Sequence, residues 1–147
     1  MYLDTTVILK LLVPEADSAL FDQRLSGQPL STSELAWTEV FSALLHKERV
    51  KAIGRNDRLN AWTTFCEWVD SKQIVLHPLN FAVLKKARHV MDRCHPEAPL
   101  RALDAIHTAA CDLSQDFPLC TTDRRMREAA AVLGIPVFPE AETSVSK

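Results

Sequence analysis

Nineteen of the 147 residues are Asp or Glu, and chemistry is to be sought among those standing where an ordinary surface acid would not. Asp4 closes the apolar pair Tyr2-Leu3, and Asp123 follows a second short apolar stretch, Leu119 to Thr121. In parallel α/β sheets ligands bind beyond the carboxyl ends of the strands, so two such acids on neighbouring strands would converge. Each is equally a favoured helix N-cap, and position alone leaves both roles open. Asp104 is more pointed. At about 100° per residue, Leu103, Ile106, His107, Ala110 and Cys111 form a buried arc; Asp104 borders it, whereas Asp112 points away. A carboxylate bordering a core loses hydration unless a cation or donors replace the water. Its early place in the helix contributes less than about 1 kcal/mol through the dipole. Glu39 lies off the main apolar stripe of its own helix, on a face with Leu35, Ser42, Ala43 and His46, and spacing alone reads it as an ordinary solvated glutamate.

Four carboxylates brought together repel one another, and hard divalent cations with oxygen ligands relieve that repulsion. Mg²⁺ or Mn²⁺ is the natural choice. Such an ion acidifies a bound water and neutralises a phosphate in displacement, and two ions about 4 Å apart clamp the attacking and leaving oxygens. Hydrolysis of a phosphodiester is the chemistry that follows.

The elements that must hold these acids alternate between short strands and longer helices, the pattern of an α/β domain with a largely parallel sheet. Tyr2-Leu3 opens a strand. Thr5 to Leu12 reads as a helix ended by Pro14, Asp17 to Leu25 as a second stopped near Gly27, and Leu30 to Thr32 as a strand. Ser33 is placed to cap a helix to about Lys47, with Trp37, Val40, Phe41, Leu44 and Leu45 as its core face. Asp57 to Val69 repeats the pattern through Leu59, Trp62, Phe65, Cys66 and Val69, leaving Trp68 off the stripe as an exposed aromatic open to a partner. Then come a strand at Ile74 to Leu76, a helix from Asn80 to Cys94 capped by Asn80, and a helix from Leu100 to Leu113. A strand at Leu119 to Thr121, a helix from Asp123 to Leu133 stopped by Gly134, and a last strand at Val137-Phe138 complete the series. Residues 1–139 read as one domain and 140–147 as a polar tail.

Composition narrows the partners. The longest apolar run, Val7 to Val13, is interrupted by Lys10 and is far too short for a bilayer, and the opening residues lack the basic leader of a signal peptide. A soluble, cytoplasmic protein is expected. Cys66, Cys94, Cys111 and Cys120 form no C-x-x-C pair and read as small core residues; Cys94-His95 near His89 is only a faint metal pattern. A net charge of −2 argues against a coat of basic residues, but becomes +2 once the four negative charges of the proposed site are set aside. A basic rim remains available from Lys47, Arg49 and Lys51, from Lys85, Lys86 and Arg88, and from Arg101, Arg124 and Arg125. The last three adjoin the site acids in sequence and are the candidates for phosphate contacts. His46 and His107 are candidate proton carriers, although a histidine on an apolar arc is more often a satisfied core residue.

The run Tyr2-Leu3-Asp4-Thr5-Thr6, Glu39 within Trp37-Thr38-Glu39-Val40, the stretch Leu100 to Ala109 around Asp104, and Cys120-Thr121-Thr122-Asp123-Arg124-Arg125-Met126 occur in an order and spacing that carry a resemblance. The chain resembles PIN-domain ribonucleases over nearly its whole length, and within them the VapC toxins of type II toxin–antitoxin systems. That resemblance implies a three-layer α/β/α fold with a five-stranded, mostly parallel sheet. It implies Asp4, Glu39, Asp104 and Asp123 as metal-binding acids, with Thr5 or Thr6 and Thr121 as supporting donors. It further implies an RNA substrate, a homodimer and a cognate antitoxin that blocks the site. Some relatives carry a further acid just after the position of Asp123, where this chain has Arg124 and Arg125, which leaves one or two ions open.

Other readings fare worse. A phosphotransferase of the haloacid-dehalogenase type wants an acid at position 6, which is Thr6, and a receiver-like domain wants adjacent acids near Asp4 and a late lysine after a strand, where Phe138-Pro139 stands. With Gly27, Gly54 and Gly134 as its only glycines, the chain has no phosphate-cradling loop. The rival from another class is a catalytically silent PIN-like module that binds RNA or protein. Against it, a pure RNA binder gains nothing from an acidic cluster facing an anion.

Overall fold

The computed structural model describes residues 1–140, so that positions 141–147 of the expected tail lie outside the described residues. The element order is β1 (Tyr2–Leu3), α1 (Thr5–Leu12), α2 (Ser18–Leu25), β2 (Leu30–Ser33), α3 (Leu35–Arg49), α4 (Arg55–Asp70), β3 (Ile74–His77), α5 (Phe81–Cys94), α6 (Ala102–Ser114), β4 (Leu119–Cys120), α7 (Arg124–Leu133) and β5 (Val137–Phe138). Local chemistry sets several boundaries. The Asn80 side chain accepts the Val83 amide and starts α5, the Asp123 carboxylate accepts the Met126 amide and starts α7, and Gly134, at φ +72°, ends α7 in the left-handed conformation that glycine tolerates.

The five strands form one parallel sheet in the order β3-β2-β1-β4-β5. From β1 the chain builds outward through β2 to β3, then crosses back to β4 on the other side of β1. The strand order therefore reverses between β1 and β4, which is where doubly wound sheets open a crevice beyond their carboxyl ends. Helices cover both faces. One core gathers Tyr2 and Leu119 of the sheet with residues of α5, α6 and α7, including Val83, Val90, Ala109 and Met126; the other gathers Leu3 with residues of α1 to α4, including Ile8, Phe21, Val40, Leu44 and Phe65. Tyr2 and Leu3, successive in one strand, anchor opposite layers because side chains alternate across a sheet.

Several helix faces differ from the sequence reading. On α3 the core face is Ala36, Val40 and Leu44, while Trp37 and Phe41 are 40% and 36% exposed. Those two aromatics pack edge-on against Trp62 of α4, at ring-centroid distances of 5.0 and 4.9 Å, and the cluster joins the edge of the core at Phe65, 5.9 Å from Trp37 and 5.8 Å from Trp62. Leu59 is exposed and Trp68 is not: Trp68 packs against the core and lines a hollow of about 570 Å³ with Leu11, Leu25, Leu30 and Ile74. Leu103 is 48% exposed, and the buried arc of α6 runs instead through Ala105, His107, Thr108, Ala109, Ala110 and Cys111. Ser33 ends β2, although its hydroxyl does accept the Leu35 amide at the start of α3. All four cysteines are free; Cys94, Cys111 and Cys120 are buried. Burial pushes the Cys120 thiol up to about 11 and the Cys111 thiol further, so neither is a thiolate near neutral pH.

The loop between α6 and β4 is tied to the far side of the sheet by one carboxylate. Asp116 Oδ2 accepts the Ser31 hydroxyl of β2 and pairs with His77 Nε2 of β3, each at 2.6 Å. Burial pushes this carboxyl up, but the Ser31 and His77 bonds, helped by the N-terminal ammonium, outweigh it and hold Asp116 below its ordinary range. A folded-state acid pKa below the unfolded value contributes stability above the unfolded value, and that contribution disappears as pH falls through the folded one. Asp116→Asn should therefore melt below wild type by a constant margin above about pH 5, and the margin should close as pH drops below about 4, the unfolded Asp value. Thermal melts across that range check the sign.

Candidate active site

The reversal point between β1 and β4 places Asp4 beside Thr121. Asp4 follows β1 directly; its amide donates to the Cys120 carbonyl at 3.0 Å, and its side chain is 5% exposed. It makes no cap bond to α1. Instead Oδ2 accepts two hydroxyls, Thr6 Oγ1 at 2.7 Å and Thr121 Oγ1 at 2.8 Å. Thr121 Oγ1 in turn accepts the Asp123 amide at 3.0 Å, which joins the two strand-end acids through one hydroxyl. Of the two roles left open by sequence, Asp123 takes that of cap, its Oδ1 accepting the Met126 amide at the start of α7, and it does so beside the reversal point. Arg127, unremarked in the sequence as the third arginine of its stretch, braces this corner by donating to the carbonyls of Thr121 at 3.0 Å and Pro139 at 2.6 Å.

Glu39 is not an ordinary solvated glutamate. Its side chain is largely buried, and Oε2 accepts Thr5 Oγ1 at 2.7 Å and lies 2.5 Å from His107 Nε2. Burial alone pushes this carboxyl up; the His107 and Thr5 bonds overcome that and hold it below its ordinary range. No periodicity rule could have found it, because the partner that satisfies Glu39 is 68 residues away on α6. His107 is itself the satisfied core histidine of the sequence reading, with Nδ1 bonded to the Tyr2 hydroxyl. His46 is exposed on α3.

Asp104 borders the buried face of α6, as its spacing implies, and is half-buried. Its carboxylate accepts no hydrogen bond from the described residues. Burial raises its pKa first, then the charges of Asp123 and Asp4, with a smaller push from Glu39, while Arg101 opposes them. Asp104 thus stands close enough to the other three acids to feel their charges. Yet among the described residues no three His, Cys, Asp or Glu side chains are drawn into a closed ion cage. The arrangement is an open rim of carboxylate oxygens, a donor set that suits a hard cation retaining some of its own water.

Around the rim, Arg101, Arg124 and Arg125 are exposed, and Arg124 makes only a loose 3.4 Å approach to Glu128. Other members of the expected basic rim are engaged elsewhere: Lys47 pairs with Glu15, Lys86 with Asp112, and Lys85 lies over the Phe81 ring. Two hollows, one lined by Trp68 and the other by the Trp37–Phe41–Trp62 cluster, contain none of the four acids.

A doubly wound parallel sheet with acids after β1, on α6 and at the cap of α7 fits the PIN domain, and comparison with protein families matches residues 1–132 to that domain; the chain belongs to the PIN-domain family. Within it the chain is VapC-like. It is 35% identical over 144 residues to Ribonuclease VapC46 of Mycobacterium tuberculosis (strain ATCC 25618 / H37Rv), a match covering 94% of this chain and 95% of that protein.

The repulsion at Asp104 has a thermodynamic sign. An acid whose folded pKa lies above its unfolded value opposes folding once pH exceeds the unfolded value, and the penalty stays constant above the folded one. Chelator-treated Asp104→Asn should therefore melt above chelator-treated wild type at neutral pH, with the difference vanishing below about pH 4. A thermal-shift series against pH reads both ends.

Proposed function

We propose that the chain is an endoribonuclease that hydrolyses RNA phosphodiester bonds with Mg²⁺ or Mn²⁺ held by Asp4, Asp104, Asp123 and Glu39, and that it is the toxin of a toxin–antitoxin pair. The observation that carries the metal reading is Asp104: a half-buried carboxylate without a protein donor, pushed toward protonation first by burial and then by the charges of three neighbouring acids. A cation is what such a group lacks. The similarity to a protein named as a ribonuclease supports the substrate class.

The chemistry supplied by a bound Mg²⁺ or Mn²⁺ is neutralisation of phosphate charge and acidification of a water. Thr6 and Thr121 fix Asp4, so that a deeply buried carboxylate keeps one orientation without a counter-charge from the protein. Asp123 is oriented by its bond to the Met126 amide, Thr5 and His107 hold Glu39, and Asp104 stands at the open edge where Arg101 offers a cationic contact for the RNA backbone. Arg124 and Arg125 are further phosphate contacts in this reading. No helix among the described residues is long and apolar enough to cross a membrane. The proposed setting is the cytoplasm, with a cognate antitoxin covering the acids and the toxin acting as a homodimer.

Asp4→Asn, Asp104→Asn and Asp123→Asn should each abolish Mn²⁺-dependent cleavage of a structured RNA while leaving the far-UV spectrum intact; Glu39→Gln should reduce it less. Full activity of Asp104→Asn removes the site assignment. Expression of the chain alone should arrest growth and block translation, with relief from co-expression of the neighbouring open reading frame. Unimpaired growth alongside cleavage by the purified protein would leave the enzyme standing and remove the toxin role.

A further inference from the structure

We infer that Tyr2 and His107 are positioning residues for Glu39: a buried hydrogen-bonded line through β1, α6 and α3 sets the histidine tautomer and thereby holds the carboxylate for its ion. The inference rests on the metal reading above.

The line is short and, up to Glu39, buried. His107 is 2% exposed; Nδ1 lies 2.9 Å from the Tyr2 hydroxyl and Nε2 2.5 Å from Glu39 Oε2. Tyr2 is fully buried. An ionised carboxylate only accepts hydrogen bonds, so Nε2 must carry the hydrogen that points at Glu39. In the neutral ring Nδ1 is then the acceptor, and the Tyr2 hydroxyl must donate to it. The hydroxyl thereby selects the tautomer that Glu39 needs. With the opposite tautomer, a nitrogen lone pair would face a carboxylate oxygen at an imidazole that is 2% exposed.

Both His107 and Thr5 converge on Oε2, while Oε1 takes no hydrogen bond from the described residues. One oxygen is thus committed to the protein and the other remains to serve an ion. Glu39 and His107 also come from helices on opposite faces of the sheet and meet around the end of β1. Without that bond α3 would carry a largely buried acid with a single hydroxyl partner. Hydrogen-bonded partners of this kind orient the ligands of metal sites, and their loss typically weakens metal binding by roughly 10- to 100-fold.

The test measures Mn²⁺ binding to the full chain directly, by the electron paramagnetic resonance signal of free Mn²⁺, together with the melting temperature of each metal-free variant. Glu39→Gln is the reference and should weaken binding by at least roughly tenfold. Tyr2→Phe removes one oxygen and no volume from the core, and should weaken Mn²⁺ by roughly tenfold as well. The two amide variants of His107 separate positioning from packing. In His107→Gln the amide nitrogen reaches the place of Nε2 and keeps the bond to Glu39, so affinity should stay close to wild type. In His107→Asn the amide reaches only the place of Nδ1, so affinity should fall as in Tyr2→Phe. Equal losses in Gln and Asn, or unchanged affinity in Tyr2→Phe and His107→Asn beside a weakened Glu39→Gln, overturn the positioning role. Wild-type affinity in Glu39→Gln overturns the placement of Glu39 at the ion, and the inference with it.

Discussion

Asp4 sets the terms for the rest of the molecule. A carboxylate with so little access to solvent costs several kcal/mol unless hydrogen bonds replace its water. Its replacements are the hydroxyls of Thr6, the second residue of α1, and Thr121, just past a strand 117 residues later. To bring Thr121 there, β4 must lie directly against β1, and that adjacency requires the chain to leave β3 at one edge, cross over through α5 and α6, and return to the middle. The crossover is also what lays α6 against the sheet with Asp104 at its rim. The topology that satisfies one buried acid delivers the others.

The strands, the helix order and the three acids Asp4, Asp104 and Asp123 are legible in the sequence because each depends on its immediate neighbours. A strand-ending acid is visible as a break in an apolar run, and an acid bordering a buried arc is visible in the turn of a helix. Glu39 was identified only through the resemblance to a family, because its burial is created by Thr5 and His107, which spacing within α3 does not contain. The same limit explains Trp37 and Phe41. Periodicity gives α3 a broad apolar stripe, but its buried face runs through Ala36, Val40 and Leu44, and Trp37 and Phe41 each pack against Trp62 of α4 instead. On α6, Leu103 lies on the correct side but too near the helix start to be covered.

Small residues matter as much as large ones. Ala105, Ala109 and Ala110 let α6 lie close on the sheet and against its neighbours, so that an imidazole on that face reaches the Tyr2 ring and passes beyond it to α3. Bulkier side chains there would lift the helix by enough to break hydrogen bonds whose tolerance is a few tenths of an ångström. The polar line through the core and the alanine-lined face beneath it are two aspects of one packing arrangement.

The aromatic cluster on α3 and α4 gives the protein a built-in optical gauge. Trp37 is two residues from Glu39 on the same rigid helix, and its indole sits edge-on to that of Trp62 on the neighbouring helix. Indole emission depends on solvent access and on close ring neighbours, and both rings are partly open to water. Any movement of α3 relative to α4, whether from a ligand at the acids or from a partner closing over them, would alter that emission. The intrinsic fluorescence of the unlabelled chain is therefore wired to the helix that carries Glu39.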